Sequence, residues 1–156
     1  MAVVNLEATV KGNDIARGKG AAGNVISLTS VVTTNADDSA TSTYDFGDIP
    51  SNARILGQST YWVDDLASAG SPTLDIGLFG DSITDDDDAF TAGISLATAG
   101  SNRLISDFAN IGKEAWEYVS GQSSDPKSIL TVKGTLKDAA INTAGDIVVE
   151  IYYTID

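Results

Sequence analysis

A two-residue rhythm constrains this chain more than any other feature. Towards its end Ile147, Val149, Ile151, Tyr153 and Ile155 recur at every second position, with Glu150 and Thr154 among the residues between them. Successive side chains of a strand point to opposite faces, so this spacing buries one face and wets the other. Leu74, Ile76 and Leu78 alternate in the same way with Asp75 and Gly77, and Leu130, Val132 and Leu136 with Thr131 and Lys133. Half-buried alternation belongs to antiparallel sheets, because strands of a parallel sheet read as unbroken apolar runs.

Similar β-branched runs punctuate the chain from Asn24 onward, separated by clusters of Gly, Asp, Asn and Ser that favour turns. They are Val25 to Val32, Ser42 to Phe46, Arg54 to Val63, Thr73 to Phe79, Ile94 to Ala97, Arg103 to Phe108, Ala115 to Val119, Ile129 to Leu136, and Ile147 to Ile155. One short helix is expected over Asp85 to Gly93, where four aspartates precede Ala89 and Phe90 as acids gather at a helix N-terminus. Eight or so short strands with almost no helix predict an all-β fold, an antiparallel β-sandwich of jelly-roll type. With 156 residues, folding should bury roughly 70% of the surface that the unfolded chain exposes, enough for one core.

The first 23 residues stand apart. Glycines at 12, 18, 20 and 23 raise the cost of ordering, and no apolar helical period offsets it. Lys11, Arg17 and Lys19 against Glu7 and Asp14 leave this stretch at +1, in a chain whose net charge is −13. Residues 1–23 are therefore expected to form an extended Gly-rich arm, with the sandwich domain over 24–156. So acidic a remainder argues against nucleic acid and anionic membranes as partners. No apolar run approaches the ~20 residues that a membrane helix needs, and the N-terminus lacks a basic region followed by an apolar one.

The chemistry open to the chain is narrow. It contains no histidine and no cysteine, which removes the usual general base, the Ser-His and Cys-His pairs, disulfides and thiolate metal sites. Gly18-Lys19-Gly20-Ala21-Ala22-Gly23 matches the dinucleotide fingerprint in spelling, but no strand enters it and no helix leaves it. Asp85, Asp87 and Asp88, with Asp81 nearby, suggest Ca²⁺, yet the spacing lacks the alternate ligands and central glycine of a calcium loop, and an acidic helix start or a solvated charge run explains the aspartates as well. Paired carboxylates could serve a glycosidase, but a chain with 22 acids contains such pairs by chance. No catalytic residue, cofactor or resident metal is expected, and the chain is not expected to be an enzyme. Tyr61 and Trp62 are consecutive in a strand, so one should meet the core and the other solvent or a partner. A subunit interface is the preferred use of the outward one, with a sugar-binding face as the alternative.

The central segment also resembles a known pattern. Ile49-Pro50-Ser51-Asn52-Ala53-Arg54-Ile55-Leu56-Gly57, then Tyr61 and Asp64-Asp65-Leu66, then Thr73-Leu74-Asp75-Ile76-Gly77-Leu78, then Asp87-Asp88-Ala89-Phe90 together resemble a motif of small structural proteins of tailed bacteriophages. The resemblance spans roughly residues 47–100 and is to capsid decoration or cement proteins. It implies a β-sandwich on the outer surface of the phage head within the virion, commonly a homotrimer, with the major capsid protein as partner. On that reading Lys11, Arg17 and Lys19 are the capsid-contact residues. A phage tail or baseplate subunit and a carbohydrate-binding β-sandwich are the alternative readings.

Overall fold

A computed structural model describes residues 3–7 and 24–155. The strands are β1 (Asn5–Glu7), β2 (Ile26–Thr33), β3 (Thr43–Pro50), β4 (Arg54–Ile55), β5 (Thr60–Val63), β6 (Thr73–Phe79), β7 (Asp86–Ser95), β8 (Gly100–Arg103), β9 (Ile129–Lys137) and β10 (Asp146–Thr154). Sheet one has the order β1-β3-β9-β6-β7; sheet two has the order β2-β10-β5-β8, with β4 also paired to β10. All pairings are antiparallel except that of β1 with β3.

The pairs nest. β6 pairs with β7, β5 with β8, β3 with β9 and β2 with β10, so the chain is one long hairpin wound over itself. That winding is the jelly roll which the alternation and the scarcity of helix predict. Residues 3–7, the beginning of the expected arm, lie along β3: Thr43 N donates to Val4 O at 3.0 Å, and Val4 N to Ser42 Oγ at 3.1 Å. Lys11, Arg17 and Lys19 lie outside the described residues.

The core fills the space between the sheets. Tyr44, Phe46, Ile49, Leu74, Ile76, Leu78, Leu130, Val132 and Leu136 of sheet one face Leu28, Val32, Val63, Ile147, Val149, Ile151 and Tyr153 of sheet two, and all are buried. Each such large side chain stabilises the fold by about 1.5–3 kcal/mol relative to leaving it in water. Gly134 sits on the inner face of β9, where a Cβ would stand 3.0 Å from both Leu74 Cδ1 and Phe46 Cε2, so its missing side chain is the space those two occupy. At the corner before β3, buried Tyr44 donates its hydroxyl to buried Asp38 at 3.2 Å. Desolvation first, and then the Asp38 charge, push that phenol well above its ordinary pKa.

Four sequence expectations are corrected. Asp85 to Gly93 is not a helix: Asp86–Ser95 forms β7, and the described residues contain only two one-turn 3₁₀ helices, Phe108–Asn110 and Ala115–Tyr118. Pairing with β6 overrides the local helix signal, and the strand bulges, since Ile76 faces Thr91 while Leu78 faces Asp86. Ala115 to Val119, expected as a strand, holds the second 3₁₀ turn, where the Glu117 carboxylate reaches back to accept from Glu114 N at 2.7 Å. Arg103 to Phe108 is mostly irregular, with β8 ending at Arg103. The run Arg54 to Val63 divides into β4 and β5 because Ser59 interrupts it, its Oγ accepting from Tyr152 N at 3.0 Å and donating to Leu56 O at 2.8 Å.

Gly77 makes the bulge of β7 possible, since a Cβ there would lie 1.9 Å from Asp86 O. Gly77→Ala is expected to cost about 3 kcal/mol in urea unfolding, as backbone overpacking does. Gly100→Ala, with nothing within 4 Å of the added carbon, should stay within about 0.5 kcal/mol of the parent. Equal stability of the two variants would mean that β7 does not cross Gly77.

Candidate interaction surface

The sandwich has two outward faces, and register determines what each presents. On β5 the consecutive aromatics separate as alternation requires: Tyr61 packs against the core, where burial raises its phenol pKa, and Trp62 is 40% exposed on the other side. Trp62 stands opposite Val148 of β10 and Ser101 of β8, and Val148 stands opposite Val31 of β2. Directly opposed residues of neighbouring strands lie about 4.5–5.5 Å apart between Cβ atoms, so Val31, Val148 and Trp62 form one row across three strands.

The adjoining rows of sheet two are polar. On one side Thr29, Glu150, Thr60 and Arg103 stand in register, and Glu150 Oε1 accepts from Tyr152 Oη at 2.7 Å and from Thr29 Oγ1 at 3.3 Å. That bond to Glu150 raises the pKa of Tyr152. On the other side Thr33 is opposite Asp146 and bonded to it at 2.7 Å, while Asp64 Oδ2 accepts from Asp146 N at 2.8 Å.

Sheet one presents a different face, on which several charged side chains have partners of their own. Lys137 bonds to Asp87 and lies 3.9 Å from Asp75, while Lys133 sits over the Phe79 ring at 5.2 Å from its centre. Thr131 donates to Asp48 at 2.8 Å and Thr73 to Asp138 at 2.6 Å. The partnership with Asp87 raises the pKa of Lys137, so its contribution to stability is complete below the unfolded-state value and is lost only as pH rises through the folded one.

The aspartates suggested for Ca²⁺ do not converge. Asp85 accepts from Gly80 N at 3.1 Å, Asp87 holds Lys137, and Asp88 interacts with Asp86, whose own carboxylate accepts from Ser120 N at 2.6 Å. Among the described residues no group of three or more acidic side chains is placed to hold a metal ion. Ser51 Oγ donates to Asp125 Oδ1 at 2.5 Å and accepts from Ser128 N at 3.1 Å; this hydroxyl–carboxylate pair joins two turns, and the chain supplies no histidine to make it a nucleophile.

Two open depressions, of about 510 and 540 Å³, flank the 40%-exposed Ile129 at the end of sheet one. Ile129 was legible as outward-facing from its place before buried Leu130. Phe108, 80% exposed, lies in a stretch without periodicity, and no sequence signal marks it.

No protein-family model matches the chain, and no curated protein matches it. Two solved structures share its fold. A chain of the capsid of Ralstonia phage GP4 is 16% identical, with a TM-score of 0.63 over 98% of this chain and 99% of that one. A chain of the cyanophage Pam1 capsid asymmetric unit is 16% identical, with a TM-score of 0.59 over 93% of this chain and 94% of that one.

The acidic start of β7 carries a pH signature. The pKa of Asp88 is raised, first by its hydrogen bond with Asp86, then by desolvation and by the charges of Asp86, Asp87 and Asp75. Because the folded-state value is raised, ionising Asp88 costs the folded form, and that cost disappears as pH falls below the unfolded-state value. Asp88→Asn should therefore raise Tm at pH 7, with the gap to the parent closing on acidification. Parallel Tm–pH curves would refute this assignment.

Proposed function

We propose that this chain is a non-enzymatic structural component of a bacteriophage virion that binds the outer surface of the capsid and stabilises it, as a decoration or cement protein. The observation that carries this reading is the end-to-end sharing of the fold with chains of two phage capsids, over 98% and 93% of its length. A jelly roll in which Ser51, Thr73 and Thr131 engage carboxylates in turns and ladders suits a protein that works through its surfaces.

The major capsid protein is the partner, and self-association into a homotrimer multiplies modest contacts, because each further engaged subunit binds at high effective concentration. Lys11, Arg17 and Lys19 supply the electrostatic part of the contact from the N-terminal segment. An acidic sandwich with a cationic extension can engage acidic positions on the shell that the remainder would repel.

Light scattering of the full-length chain and of a version lacking residues 1–23, run beside cosedimentation with expanded empty heads, tests this. The full-length protein should be a trimer that sediments with heads and raises their melting temperature. Shortening should weaken binding by about tenfold or more and reduce its salt dependence, since exposed charges are screened within about 10 Å at 0.1 M salt. A monomer that stays in the supernatant would overturn the reading.

A further inference from the structure

The two outer faces of the sandwich are unequal in a way that orients it. On sheet one the cations Lys133 and Lys137 are engaged by Phe79, Asp75 and Asp87 of the same face. On sheet two the row Val31–Val148–Trp62 is continuous across three strands and carries no charge. Among the described residues its immediate neighbours are the carboxylates of Asp64 and Asp146 on one side and Glu150 on the other, with Arg103 in the same row as Glu150. Beyond Trp62 the sheet ends at β8, whose four residues are all exposed.

We propose that this outer face of sheet two is the surface that seats on the shell, with Trp62 as its anchor, and that it takes a protein surface presenting an apolar ridge flanked by lysine or arginine. The inference rests on the capsid-binding reading above and adds which face is used and what chemistry meets it. Tryptophan in an interface contributes disproportionately to binding, while flanking polar residues exclude water. Carboxylates on both sides of an uncharged row select a basic partner and set its register, and they disfavour a second copy of this acidic face, which would bring like charges together. The salt-laced face of sheet one is left turned to solvent.

The test compares unmodified protein with Trp62→Ala, Val148→Lys and Thr131→Lys in cosedimentation with expanded empty heads, and adds hydroxyl-radical footprinting of free and head-bound protein. Trp62→Ala and Val148→Lys should each weaken binding by about tenfold or more, as loss of an anchor does. Thr131→Lys, on the outer face of sheet one, should stay within about twofold, in the range of substitutions away from a contact. Trp62 should lose reactivity on binding, with Trp116 as the internal reference. Footprinting uses the unaltered chain, so the result stands even if a variant folds poorly. Heads that bind the protein while Trp62 keeps its full reactivity and Val148→Lys binds normally would overturn this surface and leave the capsid reading intact. Failure of the unmodified protein to bind heads at all would overturn both.

Discussion

Apolar contact between the two facing sheets is what the rest of the molecule depends on. The chain has no cysteine to staple it, and no acidic cluster among the described residues gathers a metal. Layers about 10 Å apart are held chiefly by the fit of their side chains, and the buried Ser30 hydroxyl of β2 donates to Phe46 O of β3 across the gap. Gly134 shows how close that fit is: Phe46 and Leu74, on the strands either side of it in sheet one, reach their places because β9 gives up a side chain between them. Gly77 does the corresponding work for the backbone, letting β7 cross β6 where any Cβ would collide. Two glycines in strand interiors weaken local propensity, and both are explained by what passes over them.

The strands that carry a buried face were legible because burial imposes a period on the sequence. Thr73–Phe79 is found residue for residue, and Val25 to Val32, Ile129 to Leu136 and Ile147 to Ile155 differ from β2, β9 and β10 by a single residue at one or both ends. β7 was not legible. Four aspartates before Ala89 and Phe90 satisfy the local rule for a helix start, and what lets Asp86, Asp87 and Asp88 run in a strand lies on β6, at Gly77. The turn at Ala115–Tyr118 was hidden for a related reason: Trp116, Tyr118 and Val119 suggest a strand, but Glu117 closes the turn and Trp116 Nε1 donates to Glu114 Oε2 at 2.6 Å.

The outward surface was legible only in part. Alternation alone requires Tyr61 and Trp62 to part company, but which of them faces the core depends on the register of β5 against β10. The row that Trp62 completes draws on residues 31, 62 and 148, brought together by two separate pairings, and no local pattern announces it. Acidity, by contrast, is visible in composition, yet its distribution is not: Asp75 and Asp87 of sheet one lie beside Lys137, while Glu150 and Asp146 of sheet two border an uncharged row.

The nested winding also determines how the molecule bears force. The first strand of the roll and the last lie side by side, with Ile26 opposite Tyr153 and Thr33 opposite Asp146. The entry to β2 and the exit from β10 therefore meet at the same end of the sandwich. Tension applied between those two points opens their shared ladder one rung at a time, as a zipper, whereas a load spread over either broad face is shared by every strand and by the compressed core between them. The nested ladders thus make the fold answer load unequally: pressure on a broad face is shared among strands, whereas drawing the entry to β2 away from the exit of β10 opens a single ladder.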